Sequence, residues 1–314
     1  MGGCISEGVG RTLDFPLRPN AKGRRAGVLG MILVTGASGK TGQAVVAALA
    51  RAGAPTRAMV RHPSQIEVLS NLGAREVFPA DMRLGPDLRR AVENVRAVYH
   101  ICPNVHPDEV EIGRKVIAAA KQAGVEHLVL HSVLHPQTEE MPHHWNKLRV
   151  EEALIESGLS FTILQPAAYM QNLLAGWMLI TDQGVLRNPY PVETLLSLVD
   201  LQDVAGAAVR VLTKSGHRAA IYELAGTPPL TQTEVAAILS DALGRPVRAE
   251  AEPIEAWEAR ARTAGLGEHQ RATLIKMFRY YERHGLAGNP NVLRWLLGRE
   301  PTTLAEFARR AAGG

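Results

Sequence analysis

Met31-Ile-Leu-Val-Thr-Gly-Ala-Ser-Gly-Lys-Thr-Gly-Gln-Ala-Val-Val-Ala-Ala-Leu-Ala50 decides the fold. The apolar run from Met31 to Val34 reads as a strand, and Thr35 opens a loop carrying Gly36, Gly39 and Gly42. The alanine-rich segment after it reads as a helix. In this layout glycines let the backbone come close to a pyrophosphate, and the free N–H groups and positive dipole end of the helix receive its charge. A nucleotide is therefore expected over Gly36, Ser38, Gly39, Lys40, Thr41 and Gly42. The spacing Gly36-x-x-Gly39-x-x-Gly42 departs from the standard dinucleotide fingerprint by one residue in its first gap. Gly39-Lys40-Thr41 also invites a phosphate-loop reading. That motif needs a glycine five positions before Gly39, where Val34 stands, which argues against a triphosphate hydrolase.

Outward from this stretch the segments alternate. Strands are expected over 31–35, 55–60, 75–78, 97–101, 125–130 and 160–164. Helices are expected over 40–52, 64–72 with Ser64 as cap, 86–94, 108–123 and 144–157. Repeated βα units with short connections specify an α/β fold, a doubly wound parallel sheet covered by helices on both faces, over residues 31–166. After Pro166 the rhythm changes. A helix over 168–180, an irregular stretch 182–193, a strand 195–199, a helix 201–213 and a strand 220–224 precede a mostly helical remainder. Thr231-x-x-Glu234 and Thr303-x-x-Glu306 are capping boxes in it. Residues 167–314 thus supply the remaining strands and a smaller, mostly helical C-terminal lobe. The substrate cleft is expected between that lobe and the carboxyl ends of the strands.

Composition narrows the function classes. With 46% hydrophobic residues in 314, the chain can bury a large core. Its net charge of +4 is concentrated in residues 1–30, where Arg11, Arg18, Lys22, Arg24 and Arg25 face only Glu7 and Asp14. The body is nearly neutral, so no basic face and no direct nucleic-acid contact are expected. Cys4 and Cys102 form no CxxC pair, which argues against a disulfide framework or zinc site and for a reducing cytoplasm. No apolar run reaches the roughly 18–20 residues of a membrane span. Residues 1–30 read as disordered or as an extension upstream of the true start. A competing reading is lipidation, because Met1-Gly2-Gly3-Cys4-Ile5-Ser6 fits the N-myristoylation pattern and Cys4 offers a second acylation point.

The chemistry is expected in two places. Arg61 ends the second strand, where many dinucleotide sites carry an acid for the ribose hydroxyls; an arginine there favours the 2′-phosphate of NADP over NAD, with Arg57 and His62 nearby. Asp81 and Met82, past the third strand, would lie along the adenine, although an aspartate there can simply make a local turn. Ser132 follows the fifth strand and Lys147 falls in the first turns of the next helix, so both should face the nicotinamide end. There Lys147 would bind ribose hydroxyls and His143 would carry a proton near neutral pH. The blander alternative makes Lys147 and Glu151 an exposed i,i+4 pair. Histidines 127, 131, 135, 143 and 144 lack metal-ligand spacing, so no metal is expected. Tyr169, Met170, Gln171 and Asn172 would shape the substrate pocket.

Taken as a set, Thr35-Gly-Ala-Ser-Gly-Lys-Thr-Gly42, Arg61, Asp81, His143-x-x-x-Lys147-x-x-x-Glu151, Ser157-Gly-Leu-Ser-Phe-Thr-Ile-Leu-Gln-Pro166 and Tyr-Met-Gln-Asn172 resemble NmrA-like atypical short-chain dehydrogenase/reductases. The likeness continues through Val199-Asp-Leu-Gln-Asp203 and Tyr222-Glu-Leu-Ala-Gly226, covering roughly residues 31–310. It implies a Rossmann fold that binds NADP(H) in preference to NAD(H). The glycine loop and Arg61 would hold the cofactor, with Lys147 at the nicotinamide ribose and Pro166 lining the site. Members are NADPH-dependent reductases of quinones, dyes and phenolics, or redox sensors that bind NADP and act through a regulatory protein partner; a homodimer is also compatible with it. His143 stands where the tyrosine of the usual Tyr-x-x-x-Lys pair would be, and Gln165 replaces an arginine often found before the proline. The leading expectation is hydride transfer to a small quinone-like or enone acceptor, with Lys147, His143 and Ser132 as the catalytic candidates and the redox sensor as the alternative. A sugar epimerase would need a tyrosine or carboxylate at the nicotinamide, and none stands at the expected place.

Overall fold

The structure, a computed structural model, describes residues 30–103 and 105–313. The expectations of disorder or lipidation at the N-terminus lie outside the described residues. The chain runs β1 (Ile32–Val34), α1 (Lys40–Arg51), β2 (Thr56–Val60), α2 (Ile66–Asn71), β3 (Glu76–Pro79), α3 (Gly85–Ala91), β4 (Ala97–His100) and α4 (Glu109–Gln122). It continues through β5 (His127–His131), α5 (Pro142–Glu156), β6 (Phe161–Pro166), β7 (Ala168–Tyr169), α6 (Trp177–Gln183), β8 (Val185–Asn188), β9 (Leu198–Val199) and α7 (Leu201–Thr213). The last elements are β10 (Ala220–Leu224), α8 (Gln232–Leu243), β11 (Arg248–Ala251), α9 (Ile254–Thr263), α10 (Glu268–His284), α11 (Pro290–Leu297) and α12 (Leu304–Gly313).

Seven strands form one parallel sheet in the order β10-β6-β5-β4-β1-β2-β3. The order reverses at β1, whose neighbours are β2 on one side and β4 on the other. This is the doubly wound arrangement, and it opens a crevice at the carboxyl ends of β1 and β4. The apolar strands are needed because both faces are covered. Ile32 and Val34 pack into the layer of α1 and α7, while Leu33 between them packs under α3, α4 and α5. A third core, with Met170, Ile180, Leu186, Val235, Leu239 and Phe307, holds the C-terminal elements together.

The expected helix over 168–180 is replaced by three pieces. Ala168 and Tyr169 pair as β7 with Leu198 and Val199 of β9, Met170–Gly176 form a 3₁₀ stretch, and a helix begins only at Trp177. The amide of Leu201 bonds to the Gln171 side chain, and this tertiary pairing overrides local helix propensity. Ser64 is not a helix cap: it lies inside a 3₁₀ turn, Pro63–Gln65, that leads into α2. The irregular stretch 182–193 contains β8, which pairs with β11. Both expected capping boxes form, with Thr231 and Thr303 each exchanging bonds with the glutamate three residues on.

The glycine loop is set by close approach. A Cβ on Gly42 would overlap the Gly36 carbonyl oxygen and Ala37 Cα, and one on Gly36, whose φ is +60°, would stand 2.7 Å from the Ile101 carbonyl oxygen. Gly42→Ala should therefore lose about 1–3 kcal/mol of stability, the usual cost of forcing one extra methyl into a packed site. Urea unfolding of the variant against wild type checks this, and an unchanged midpoint would contradict it.

Candidate functional site

Beyond the carboxyl ends of the strands lies a cleft of about 1330 Å³, open between the sheet and the C-terminal elements. It is built from the residues following each strand. Gly36, Ser38, Gly39, Lys40, Thr41 and Gly42 come after β1, Arg61 and His62 after β2, Asp81 and Met82 after β3, and Ile101, Cys102 and Pro103 after β4. Ser132 follows β5, Pro166 ends β6, and Tyr169 and Asn172 come from β7 and beyond. His143 and Lys147 reach it from α5. The far wall carries Tyr190, Trp257, Met277 and Phe278; the Trp257 and Phe278 rings meet edge to face at 4.7 Å.

The loop end of the cleft suits a dinucleotide phosphate. Helix α1 has glycine at its N-cap, no side-chain cap and no acid in its first turn, so the amides of its first turn face the cleft without a side-chain partner. The absent Cβ atoms of Gly36 and Gly42 keep this cradle shallow. Arg61 is exposed and makes one side-chain bond among the described residues, from Nε to His62 Nε2 at 3.1 Å. Asp81 does form a local turn: its Oδ1 accepts from the Arg83 amide, and the Arg83 guanidinium grips the carboxylate and holds its pKa below the usual value. Arg57 faces elsewhere. It bonds to Glu76 and to the carbonyls of Ala91 and Glu93, closing the end of α3, so it is corrected from a cofactor neighbour to a structural residue.

At the other end, Lys147 does not pair with Glu151. Its Nζ lies 2.6 Å from Oε1 of Glu109, whose Oε2 is buried without a hydrogen-bond partner among the described residues. Burial works against the ammonium, but the neighbouring carboxylate outweighs it and holds Lys147 above the usual lysine pKa. Glu151 turns to the sheet instead, accepting bonds from Ser132 Oγ and from Gln165 Nε2 at 3.0 Å; burial raises its pKa. Gly113 makes this possible, because a Cβ there would stand 2.6 Å from Val150, and its absence lets α4 lie close on α5. Glu109 was missed in the sequence. Its signal was available, since it sits in the first turn of the helix after β4, at the edge where ligands bind.

Burial governs the histidines. His143 is lowered to about 3, first by desolvation and then by His144 and Lys147, and its Nδ1 has no partner among the described residues. The expectation that it carries a proton near neutrality is therefore corrected: the ring is neutral at pH 7. His100 and His131 are likewise held at about 3 by burial, His100 bonded to Thr35 and His131 to Tyr99 and Tyr169. His127, four residues before His131, bonds to Ser160 and Thr162 at the opposite end of the strand. Among the described residues no three His, Cys, Asp or Glu side chains group as a metal site. Cys102 is buried, and desolvation pushes its thiol far above the ordinary value.

A histidine with a depressed folded pKa contributes stability that is complete above its unfolded value of about 6.5 and is lost as pH falls below it. Three such rings, His100, His131 and His143, titrate at about 3 in the fold. Glu151, with its raised pKa, works in the opposite direction but is a single group. The urea midpoint should accordingly fall between pH 7 and pH 5, before ordinary carboxylates titrate. A flat profile over that range would show the rings to be charged or exposed.

The description of the NmrA-like family matches residues 30–308. The NAD(P)H azoreductase of Xenophilus azovorans is 34% identical over 90% of this chain and 98% of its own length. Quinone oxidoreductase 2 of Escherichia coli is 30% identical over 88% of this chain and 96% of its own. The structure of that Escherichia coli enzyme complexed with NADPH superposes with a TM-score of 0.79 at 29% identity, covering 90% of this chain and all of the other. The chain is a Rossmann-fold protein and belongs to the NmrA-like family.

Proposed function

We propose that this protein is an NADPH-dependent oxidoreductase acting on a small quinone-like or enone acceptor. The observation that carries the reading is a single continuous cleft. It joins an uncapped glycine-rich helix start and Arg61 at one end to the Lys147 ammonium and an aromatic wall at the other. Relatives named as an azoreductase and a quinone oxidoreductase, aligned over nearly their whole lengths, support it.

In this reading the α1 amides and the side chains of Ser38, Lys40 and Thr41 hold the pyrophosphate, and Met82 and Asp81 flank the adenine. Arg61 holds the 2′-phosphate, which sets the preference for NADP(H) over NAD(H). Lys147 binds the nicotinamide ribose, kept in place by Glu109, and Pro166 backs the nicotinamide ring. The bound cofactor supplies a hydride. Asn172, Trp257 and Phe278 enclose a flat apolar acceptor and exclude water around it. Of the candidate proton sources, Ser132 is committed to Glu151, and His143 is a neutral ring.

Two measurements test this. Fluorescence titration should show NADPH binding, and the nicotinamide absorbance should decay on adding quinones or enones, with Lys147→Ala abolishing the decay. Tight binding without turnover on any acceptor would instead favour a redox sensor. Arg61→Ala should weaken NADPH by about 10–100-fold, the equivalent of one or two charge-assisted hydrogen bonds, and leave NADH nearly unchanged. Equal losses for the two cofactors would refute the 2′-phosphate assignment.

A further inference from the structure

A buried chain of hydrogen bonds fixes the position of one proton in the cleft. Tyr99 is fully buried in β4, and its Oη lies 2.7 Å from His131 Nδ1. His131 Nε2 lies 2.6 Å from the Oη of Tyr169, and Thr41 Oγ1 donates to that same oxygen at 3.5 Å. Tyr99 decides the direction of the whole chain. Among the described residues its hydroxyl meets no acceptor other than His131, and a buried hydroxyl left without an acceptor costs about 1–3 kcal/mol. Tyr99 therefore donates to Nδ1. Burial keeps the His131 ring neutral, so its single N–H is at Nε2 and points at Tyr169. Tyr169 Oη thus accepts from two sides, its own hydrogen is left without an acceptor among the described residues, and the free side of that oxygen is the cleft.

We propose that Tyr169 is the proton donor of the reduction, oriented by His131 and Thr41. The assignment rests on the reductase reading. In an enone or quinone, the acceptor carbon takes the hydride and its electron pair from the cofactor, the carbon–carbon π bond breaks, and the displaced pair ends on the carbonyl oxygen as an enolate. That oxygen takes the Tyr169 proton as a new O–H bond forms. Burial raises the Tyr169 pKa; against it, the phenolate left behind keeps the hydrogen bonds from His131 and Thr41 and the favourable charge of Lys147, and cleft water returns its proton. His131 is a positioning residue: it holds its proton throughout. The tyrosine missing four residues before Lys147 is thus replaced by one supplied from β7, 22 positions after the lysine in the sequence.

Two readouts test the proposal. With an enone or quinone in excess, Tyr169→Phe should lower kcat by about 10²–10⁴-fold, the range for losing a positioned general acid, while the NADPH Kd stays within threefold. Independently of activity and of any variant, ¹⁵N spectra of the cofactor-free wild-type protein should show His131 with a protonated Nε2 and a bare Nδ1. Wild-type turnover with an unchanged kcat in Tyr169→Phe would overturn the role of Tyr169 and leave the reductase reading intact. A proton on Nδ1 would reverse the hydrogen-bond chain and overturn it as well. Absence of turnover by the wild type on every acceptor would overturn the reductase reading and Tyr169's role with it.

Discussion

The buried ion pair between Lys147 and Glu109 ties together the two helices that roof the reactive end of the cleft. An ion pair this buried is a poor source of net stability, because removing both charges from water costs nearly what their attraction returns; breaking it by deleting one partner costs about 3–5 kcal/mol. Its effect is to specify geometry. Glu109 and Gly113 are one turn apart on α4, and Lys147 and Glu151 are one turn apart on α5. Where Gly113 has no Cβ, Val150 fills the space, the helices close up, and a carboxylate and an ammonium on their facing sides meet. Glu151 is then directed to Ser132 and Gln165 at the ends of β5 and β6. One helix face thus docks to a neighbouring helix and to the sheet at once, and the lysine cannot swing out to solvent.

The electrostatics of the reactive end follow from this pair. Three histidine rings stand around it, His100, His131 and His143, and all are neutral because burial disfavours their charged forms. Lys147 itself adds to that pressure on each ring. The ammonium therefore keeps its charge through Glu109 while its neighbours give theirs up. A site arranged in this way presents one fixed positive charge among neutral donors and acceptors. That favours negative charge developing on a substrate oxygen and disfavours loose protons on the surrounding imidazoles.

The fold and the loop end of the cleft were legible because their signals are local. Strand, glycine turn and helix lie within Met31–Ala50, the alternation of apolar segments gives the parallel sheet, and Arg61 ends a strand that periodicity alone locates. The reactive end was less legible, for two physical reasons. Partners were chosen by tertiary packing: the spacing offers Lys147 and Glu151 as an i,i+4 pair, the blander alternative, and gives no sign of Glu109 or Ser132, the partners that each takes 38 or 19 residues away. Protonation was also set by burial, which spacing does not reveal, so His143 reads as a neutral-pH proton carrier and folds with its pKa lowered to about 3. The segment after Pro166 was misread as helix for the first of these reasons. Its extended start is held by β9, some 30 residues later in the chain.

That misread segment explains how the two ends of the cleft are divided between the halves of the chain. The loops after β1, β2 and β3 come from the first third of the sequence and present amides, Arg61 and Asp81. The opposite wall comes from β7 onward, with Tyr169 and Asn172, and from α9 and α10, with Trp257, Met277 and Phe278. Of these later residues, Tyr169 and Met277 pack against the same core layer that holds Ile32 and Val34 of β1. Among the described residues Trp257, Met277 and Phe278 make no side-chain hydrogen bond to the glycine loop. Tyr169 is the exception, because its hydroxyl is tied to Thr41 on one side and through His131 to Tyr99 in the centre of the sheet. It is the point at which the later wall is hydrogen-bonded to the glycine loop.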